Sequence, residues 1–467
     1  MANNLLNQRP KIVNAGLEIF ANDLQKLNVE NVHLDWRPPG SGKMEINEQL
    51  KNVLKRKDVI DAANKKALEK VLAAQPVWTD VGLARDMIPG FTENTIAHAG
   101  PPVTWENMCG PMQGSVIGAL IFEGKAANEE EARKIAPTMD FVPCHSLNAV
   151  GPMTGVFSAN IPVYKVENIE HGNIAYSPFN TQGKGRPFSF GAFGEDTQET
   201  LRGLRDQMLP ALKKALQVRG EGIDLKMIIA QALHMGDDCH NRLVAATGQL
   251  WKILVPELAK SGINHGLLTG LAYSIQFNNW YFLNLSMAAC KATLDAARDI
   301  ENSTMVTAMA RNGTEVGIQV SGTGNKWFTA KAPMIRGMYF PGFTEENANP
   351  DMGDSAITEA AGIGAFTMAA ALPMTQLVGG TIQDALNFTK DMRKITLGEN
   401  PAFTVPTLNF VGAPTGIDVI KVVETGIEPI INTGIANKEA GQGMVGAGLV
   451  NLPVEAFEKA LAEIANA

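Results

Sequence analysis

The sequence is short of cysteine, of clustered positive charge and of nucleotide-binding motifs, and each shortage narrows what it can do. Its 467 residues include 4 cysteines. Cys109, Cys144, Cys239 and Cys290 lie far apart and form no C-x-x-C pair. That spacing fits a reducing, cytoplasmic setting better than a disulfide framework or a zinc knuckle. The net charge is −8, with acidic and basic residues interspersed and no Lys/Arg block. No nucleic-acid partner is expected of such a surface. The N-terminus has no basic segment followed by an apolar run, so no signal peptide is expected. No G-x-G-x-x-G occurs, so a dinucleotide is not implied. Gly40-Ser41-Gly42-Lys43 imitates a phosphate-binding loop, but the motif needs glycine where Arg37 stands and Ser or Thr where Met44 stands.

Charge is also missing from two long runs, 266–290 and 360–383. Each is long enough to span a bilayer. The first contains Gln276, Asn278, Asn279 and Asn284, and the second Pro373, Gln376 and several glycines. Both are therefore read as buried helices of a large core, with no membrane partner. The overall balance, 45% hydrophobic and 19% charged, is that of a globular chain. Its length calls for two to four domains.

The pattern along the chain predicts α/β and α+β architecture in several domains. A strand at 11–14, an amphipathic helix over 17–27 and a strand at 31–36 make a strand–helix–strand unit. Helices near 46–54 and 59–72 follow, then a third strand at 77–81. Residues 1–100 are assigned to an N-terminal Rossmann-like domain. Residues 101–195 are assigned to an α+β domain with strands at 163–167, 174–176 and 188–193. There Gly110, Gly114 and Gly118 recur every four residues, which would let another backbone approach one face of a helix. Cys144 beside His145 suggests an activated thiol, but neighbours on a strand face opposite ways, and a buried thiol is the preferred reading. Residues 196–300 are a central all-helical segment, opened by the stripe Leu201, Leu204, Met208, Leu212 and Leu216. Residues 301–467 form a mixed α+β core. There Asn312-Gly313 joins two strands in a tight turn, the segments 417–424 and 427–433 follow, and a helix over 454–465 closes the chain.

One run concentrates chemistry. His234-Met235-Gly236-Asp237-Asp238-Cys239-His240-Asn241-Arg242 sets two imidazoles, two carboxylates, a thiol and a guanidinium between two apolar helical stretches. Polar groups at a buried helix junction are costly unless they pair or react. Gly236 suits a helix end and Asp237 or Asp238 the cap of the next helix. A purely structural reading is open too: capping aspartates, core histidines and a packed thiol. His234, Asp238 and His240 match no standard zinc spacing, so a divalent metal stays possible and its ligands unknown.

Several motifs, in order, carry a resemblance. They are Asp-Trp-Arg-Pro-Pro (35–39), His-Ala-Gly-Pro-Pro (98–102), Met-Cys-Gly-Pro-Met (108–112), the 232–242 corner, Asn-Leu-Ser-Met-Ala-Ala (284–289) and Thr-Ala-Met-Ala-Arg-Asn-Gly (307–313). Asn-Pro-Asp-Met-Gly-Asp-Ser-Ala-Ile-Thr-Glu (349–359), Pro-Thr-Gly-Ile-Asp (414–418), Val-Glu-Thr-Gly-Ile (423–427) and Ile-Asn-Thr-Gly-Ile-Ala (431–436) complete the series. Over almost its whole length the chain resembles the YlbE/AllG-like family. The resemblance implies a subunit of an oxamate carbamoyltransferase in anaerobic allantoin and purine breakdown. Its partners would be FdrA-like (AllF) and AllH-like subunits. The implied reaction converts oxalurate and phosphate to oxamate and carbamoyl phosphate, with no certain cofactor. A homo-oligomer acting on a small anionic substrate is expected.

That chemistry needs anion donors, an oxyanion stabiliser and a general acid. Arg242 suits a phosphate or carboxylate, and His234 or His240 a proton near neutral pH. Asp237 and Asp238 would orient these groups or hold a metal. Arg311 with Asn312 is a second anion-binding candidate, and Thr415-Gly416 offers backbone N–H groups to an oxyanion. The Ser-Thr-Arg-Thr-Arg motif of aspartate- and ornithine-type carbamoyltransferases is absent. A metal-dependent amide hydrolase and a non-catalytic assembly subunit are the alternatives.

Overall fold

The structure, a computed structural model, describes residues 11–34, 38–181, 186–276 and 278–466. It is a mixed α/β protein in which many helices surround several small sheets. At the N-terminus the strands Ile12–Ala15 and Asn31–Leu34 pair in parallel across the helix Glu18–Lys26. This is the expected strand–helix–strand unit; Asp35 and Trp36, the end of the expected second strand, lie outside the described residues. The parallel layer stops there. The third strand, Pro76–Leu83, joins an antiparallel sheet with Pro162–Asn168, Ile174–Pro178 and Ile223–Asp224 instead. The Rossmann-like reading of residues 1–100 is thereby corrected: only two of its three strands share a sheet. Trp78, Val81 and Tyr164 explain the choice, because all three are buried in the main core. The imitation phosphate loop, Pro39–Gly42, is a short 3-10 turn, and its Lys43 pairs with Glu458 at 2.7 Å.

The helix Gly110–Phe122 bears out the glycine reading. A side chain on Gly114 would collide with the carbonyl oxygen of Gly191, and one on Gly110 with that of Lys438. The strand expected at 188–193 is a 3-10 turn, Phe188–Phe190, ended by Gly191 at φ +85°. The turn packs directly on the glycine helix, since a side chain on Gly191 would meet the carbonyl oxygen of Pro111.

The first uncharged run divides into the helices His265–Gln276 and Leu283–Asp295, with Phe277 between them outside the described residues. The second of these is buried along nearly its whole length and packs on the strands Pro162–Asn168 and Ile174–Pro178. Its Lys291 is fully buried and gives its ammonium to Asp295 at 2.6 Å. The other uncharged run is not one helix. Gly362 and Gly364 adopt positive φ, Pro373 interrupts, and the α-helical pieces there are the end of Ile357–Ala360, Met374–Val378 and the start of Ile382–Met392. Among the described residues no helix is long and apolar enough to cross a membrane.

In the C-terminal portion the strands Val306–Asn312 and Glu315–Val320 form the expected hairpin, turning at Gly313 with φ +82°. Every residue of the first strand is buried. Ile430–Ala436 pairs with Met444–Asn451, and Thr396–Val405 with Val411–Ile417. The helix Val454–Asn466 closes the described chain.

Candidate active site

The corner at 234–242 is a tight loop between the helices Leu225–His234 and Val244–Lys260. Gly236 ends the first helix at φ +92°, as its position suggested. Asp238 organises the loop. Its Oδ1 accepts the backbone N–H groups of His240, Asn241 and Arg242, each at 2.9 Å. Its Oδ2 accepts Asn432 Nδ2 at 2.6 Å. Burial raises this carboxyl and the N–H donors oppose the rise. Asp237 caps from a distance: Oδ2 accepts the N–H of Ala246 in the next helix at 2.9 Å. Burial pushes its carboxyl up to about 7. Asp237 thus caps the next helix, as the structural reading proposed, while Asp238 holds the loop and the Asn432 amide.

The other corner residues part company. His234 is exposed at a helix end, where Nε2 meets Thr404 Oγ1 at 2.7 Å. Arg242 gives Nε to the carbonyl of Gly236 at 3.0 Å and lies 3.5 Å from Asp237; it lies outside the cavity described next. His240 turns inward. It is 2% exposed, and its Nδ1 is 2.8 Å from Oε1 of Glu359.

Glu359 is the partner that sequence reasoning missed. Its Oε1 also accepts the N–H of Ala365 at 2.9 Å, and Oε2 accepts Thr358 Oγ1 at 2.9 Å. Three donors on a fully buried carboxylate are what allow it to stay in the interior. Gly364 makes room for it: a side chain there would overlap the carboxylate, and φ is +63°. The available signal was Glu359 itself, an ionisable residue standing at the edge of a long uncharged run.

With Nδ1 donating to Glu359, the Nε2 of His240 is left without a partner among the described residues, and the ring lines a narrow cavity. The cavity draws its lining from Pro152 through Met444. Its polar groups include Asn180, Asn241, Asn284, Ser355 and Thr433, and its apolar walls include Phe188, Phe190 and Trp280. Trp280 Nε1 donates to the carbonyl of Asn241 at 3.0 Å, tying the corner to this wall.

Arg311 stands behind the cavity rather than in it. It is fully buried and forks onto Asp351 at 2.9 and 3.1 Å. Its remaining donors reach Gly353 O at 2.6 Å, Ser355 Oγ at 3.3 Å and Thr433 Oγ1 at 3.3 Å. All five guanidinium N–H groups are committed, so Arg311 positions two cavity hydroxyls and has none left for a ligand anion. Asn312 is likewise committed. Its Nδ2 donates to Pro101 O at 3.0 Å, and its Oδ1 accepts the N–H groups of Thr314 and Glu315. Thr415 and Gly416 lie in the buried strand Val411–Ile417, away from the cavity lining, and Thr415 Oγ1 donates to Ala413 O at 3.0 Å.

Cys144 and His145 are both fully buried, and burial drives the Cys144 thiol well up, as the packed-thiol reading expected. Asp354 braces the cavity from beneath. Its carboxylate accepts Gly100 N at 2.8 Å and Gly151 N at 3.0 Å, and burial pushes it up to about 6. Among the described residues no three His, Cys, Asp or Glu side chains are placed to hold a metal ion. His234, Asp238 and His240 serve three separate sets of partners.

Comparison with known proteins gives the geometry a family. A family model described as oxamate carbamoyltransferase subunit AllG matches residues 139–355, a span that includes the corner and Ser355. The chain is 44% identical over 465 residues to "Uncharacterized protein YahG" of Escherichia coli (strain K12), covering 99% of this chain and 98% of that one. It is also 44% identical over 407 residues to oxamate carbamoyltransferase subunit AllG of the same strain, covering 86% and 97% respectively. A crystal structure of a conserved protein of unknown function from Enterococcus faecalis V583 superposes with a TM-score of 0.86 at 45% identity. That match covers 87% of this chain and 98% of the other. The agreement runs along nearly the full length of each relative, and the chain belongs to the AllG family.

Proposed function

We propose that this protein is a subunit of an oxamate carbamoyltransferase and that the cavity beside His240 holds the carbamoyl group being transferred. The net reaction joins a phosphate oxygen to the carbamoyl carbon of oxalurate, breaks the carbon–nitrogen bond and returns oxamate. The departing nitrogen must gain a proton. The observation that carries the reading is the His240–Glu359 pair at the cavity wall, 2.8 Å apart and otherwise buried. A carboxylate on Nδ1 fixes the tautomer and supports the positive charge that grows as Nε2 takes a proton. Nε2 has no hydrogen-bond partner among the described residues and the ring lines the cavity, which supports His240 as the proton carrier. The neutral amides and hydroxyls of Asn241, Asn284, Ser355 and Thr433 suit the uncharged carbamoyl end of the substrate. FdrA-like (AllF) and AllH-like subunits complete the enzyme in this reading.

The test is reconstitution. The full chain, mixed with those partners, should form carbamoyl phosphate from oxalurate and phosphate, and His240→Ala should lower the rate about 100-fold or more. A complete assembly that makes no carbamoyl phosphate would refute the assignment.

A further inference from the structure

Ser355 faces the same cavity as His240 and is 3% exposed. Glu359, the carboxylate behind His240, follows one helical turn later, beyond the turn Asp354–Ala356. A single short segment therefore supplies both a serine to the cavity that His240 lines and the carboxylate bound to His240 Nδ1. A serine and a histidine on a common pocket, with a glutamate behind the histidine, is the composition of a nucleophile, its base and the group that orients the base.

The surroundings of the Ser355 hydroxyl favour reactivity over simple packing. Its oxygen accepts Arg311 Nη1 at 3.3 Å, while its own proton is given to no described residue. A guanidinium donor on the oxygen favours the alkoxide that forms when that proton leaves. The other cavity hydroxyl under Arg311 differs, since Thr433 Oγ1 donates to Gly434 O at 3.3 Å. An oxyanion donor is also at hand. Asn241 lines the cavity, and among the described residues its Nδ2 has a single long contact, to Asn432 Oδ1 at 3.5 Å. Ser355 and His240 are not hydrogen-bonded to each other here, and such contacts commonly tighten when substrate binds.

Building on the carbamoyltransferase reading, we infer that Ser355 is the first acceptor of the carbamoyl group and that transfer proceeds through a carbamoyl-serine ester. Ser355 Oγ attacks the carbamoyl carbon of oxalurate and gives its proton to His240 Nε2. The carbon–nitrogen bond breaks, and the oxamate nitrogen takes that proton from His240. Oxamate leaves. A phosphate oxygen then attacks the ester carbon, the bond to Ser355 Oγ breaks, and the serine recovers a proton through His240 from the incoming phosphate. Atoms and charge balance with oxalurate and phosphate alone.

The experiment is isotope exchange in the reconstituted assembly. Labelled oxamate, unlabelled oxalurate and no phosphate are incubated with the wild-type complex. The ester route predicts label appearing in oxalurate without phosphate, and the peptide containing Ser355 heavier by one carbamoyl group on mass spectrometry. Ser355→Ala should abolish the modification and lower both exchange and overall turnover by about 100-fold or more. If wild type makes carbamoyl phosphate but exchanges label only when phosphate is present, with Ser355 unmodified, transfer is direct and this inference falls while the functional reading stands. If wild type makes no carbamoyl phosphate, both fall.

Discussion

Replacing Glu359 by glutamine tests the pair at the centre of the site with the least disturbance of shape. The carboxylate is fully buried and takes three hydrogen bonds, from His240 Nδ1, Ala365 N and Thr358 Oγ1. A glutamine carbonyl in the Oε1 position would keep the first two. Its amide would replace Oε2, and the Thr358 hydroxyl, which also reaches Ser355 O at 2.7 Å, can rotate to accept. The fold should therefore lose only about 1–2 kcal/mol. Catalysis should lose more, because the negative charge is gone. Opposite unit charges about 4 Å apart attract by about 4 kcal/mol at an effective dielectric of about 20. At about 1.4 kcal/mol per factor of ten, that sets a ceiling of about 1000-fold on the rate loss. The retained Nδ1 hydrogen bond recovers part of this, so a fall in kcat of about 100-fold with little change in KM is expected. Carbamoyl phosphate formation by the reconstituted complex measures it, with thermal melting in parallel. A folded Glu359→Gln protein working within about threefold of wild type would show that the pair is architectural.

Three further outcomes are expected. Burial raises the Asp237 carboxyl to about 7, well above the roughly 3.9 of an unfolded aspartate. A raised acid contributes stability that is complete below about 3.9 and is lost as the pH climbs through its folded value. Asp237→Asn should accordingly gain on wild type by about 2–4 kcal/mol as melts move from pH 5 to pH 8, and parallel curves would contradict the sign. His234→Ala, at an exposed helix end, should change activity by no more than about twofold; a loss matching that of His240→Ala in the same assay would move the site outward. Gly114→Ala adds a good helix former, which alone would gain about 1 kcal/mol. The carbonyl of Gly191 blocks the new methyl group, so denaturant unfolding should show a net loss of about 1–3 kcal/mol, and a gain would refute the close helix–turn contact.

Local pattern made much of the secondary structure legible. The stripe from Leu201 to Leu216, the Asn312-Gly313 hairpin and the glycine face of Gly110–Phe122 all depend on residues close in sequence, and all three formed. Sheet membership was less legible. Strand Pro76–Leu83 reads as strand, but its partners lie as far away as Ile223–Asp224, and the burial of Trp78, Val81 and Tyr164 in one core goes with the pairing. The same limit governed the site. The 234–242 run announced itself by composition, yet composition could not say which side chain turns inward. Asp237 and Asp238 were spent on backbone N–H groups, and Arg311 on Asp351, because buried donors and acceptors must be satisfied before any ligand arrives. His240 acquired its partner from Glu359, 119 residues away in sequence.

The cavity takes its lining from Pro152 at one extreme and Met444 at the other. Protein synthesis runs from the N-terminus, so a growing chain acquires the complete corner at 234–242 long before Ser355, Glu359 or Thr433 has been made. Contacts between such remote positions form slowly, because their loops must close before any contact energy is returned. A chain cut short after residue 300 would carry both histidines and both aspartates of the corner, and no site. Possession of the assembled cavity thus certifies that translation reached the strand Met444–Asn451.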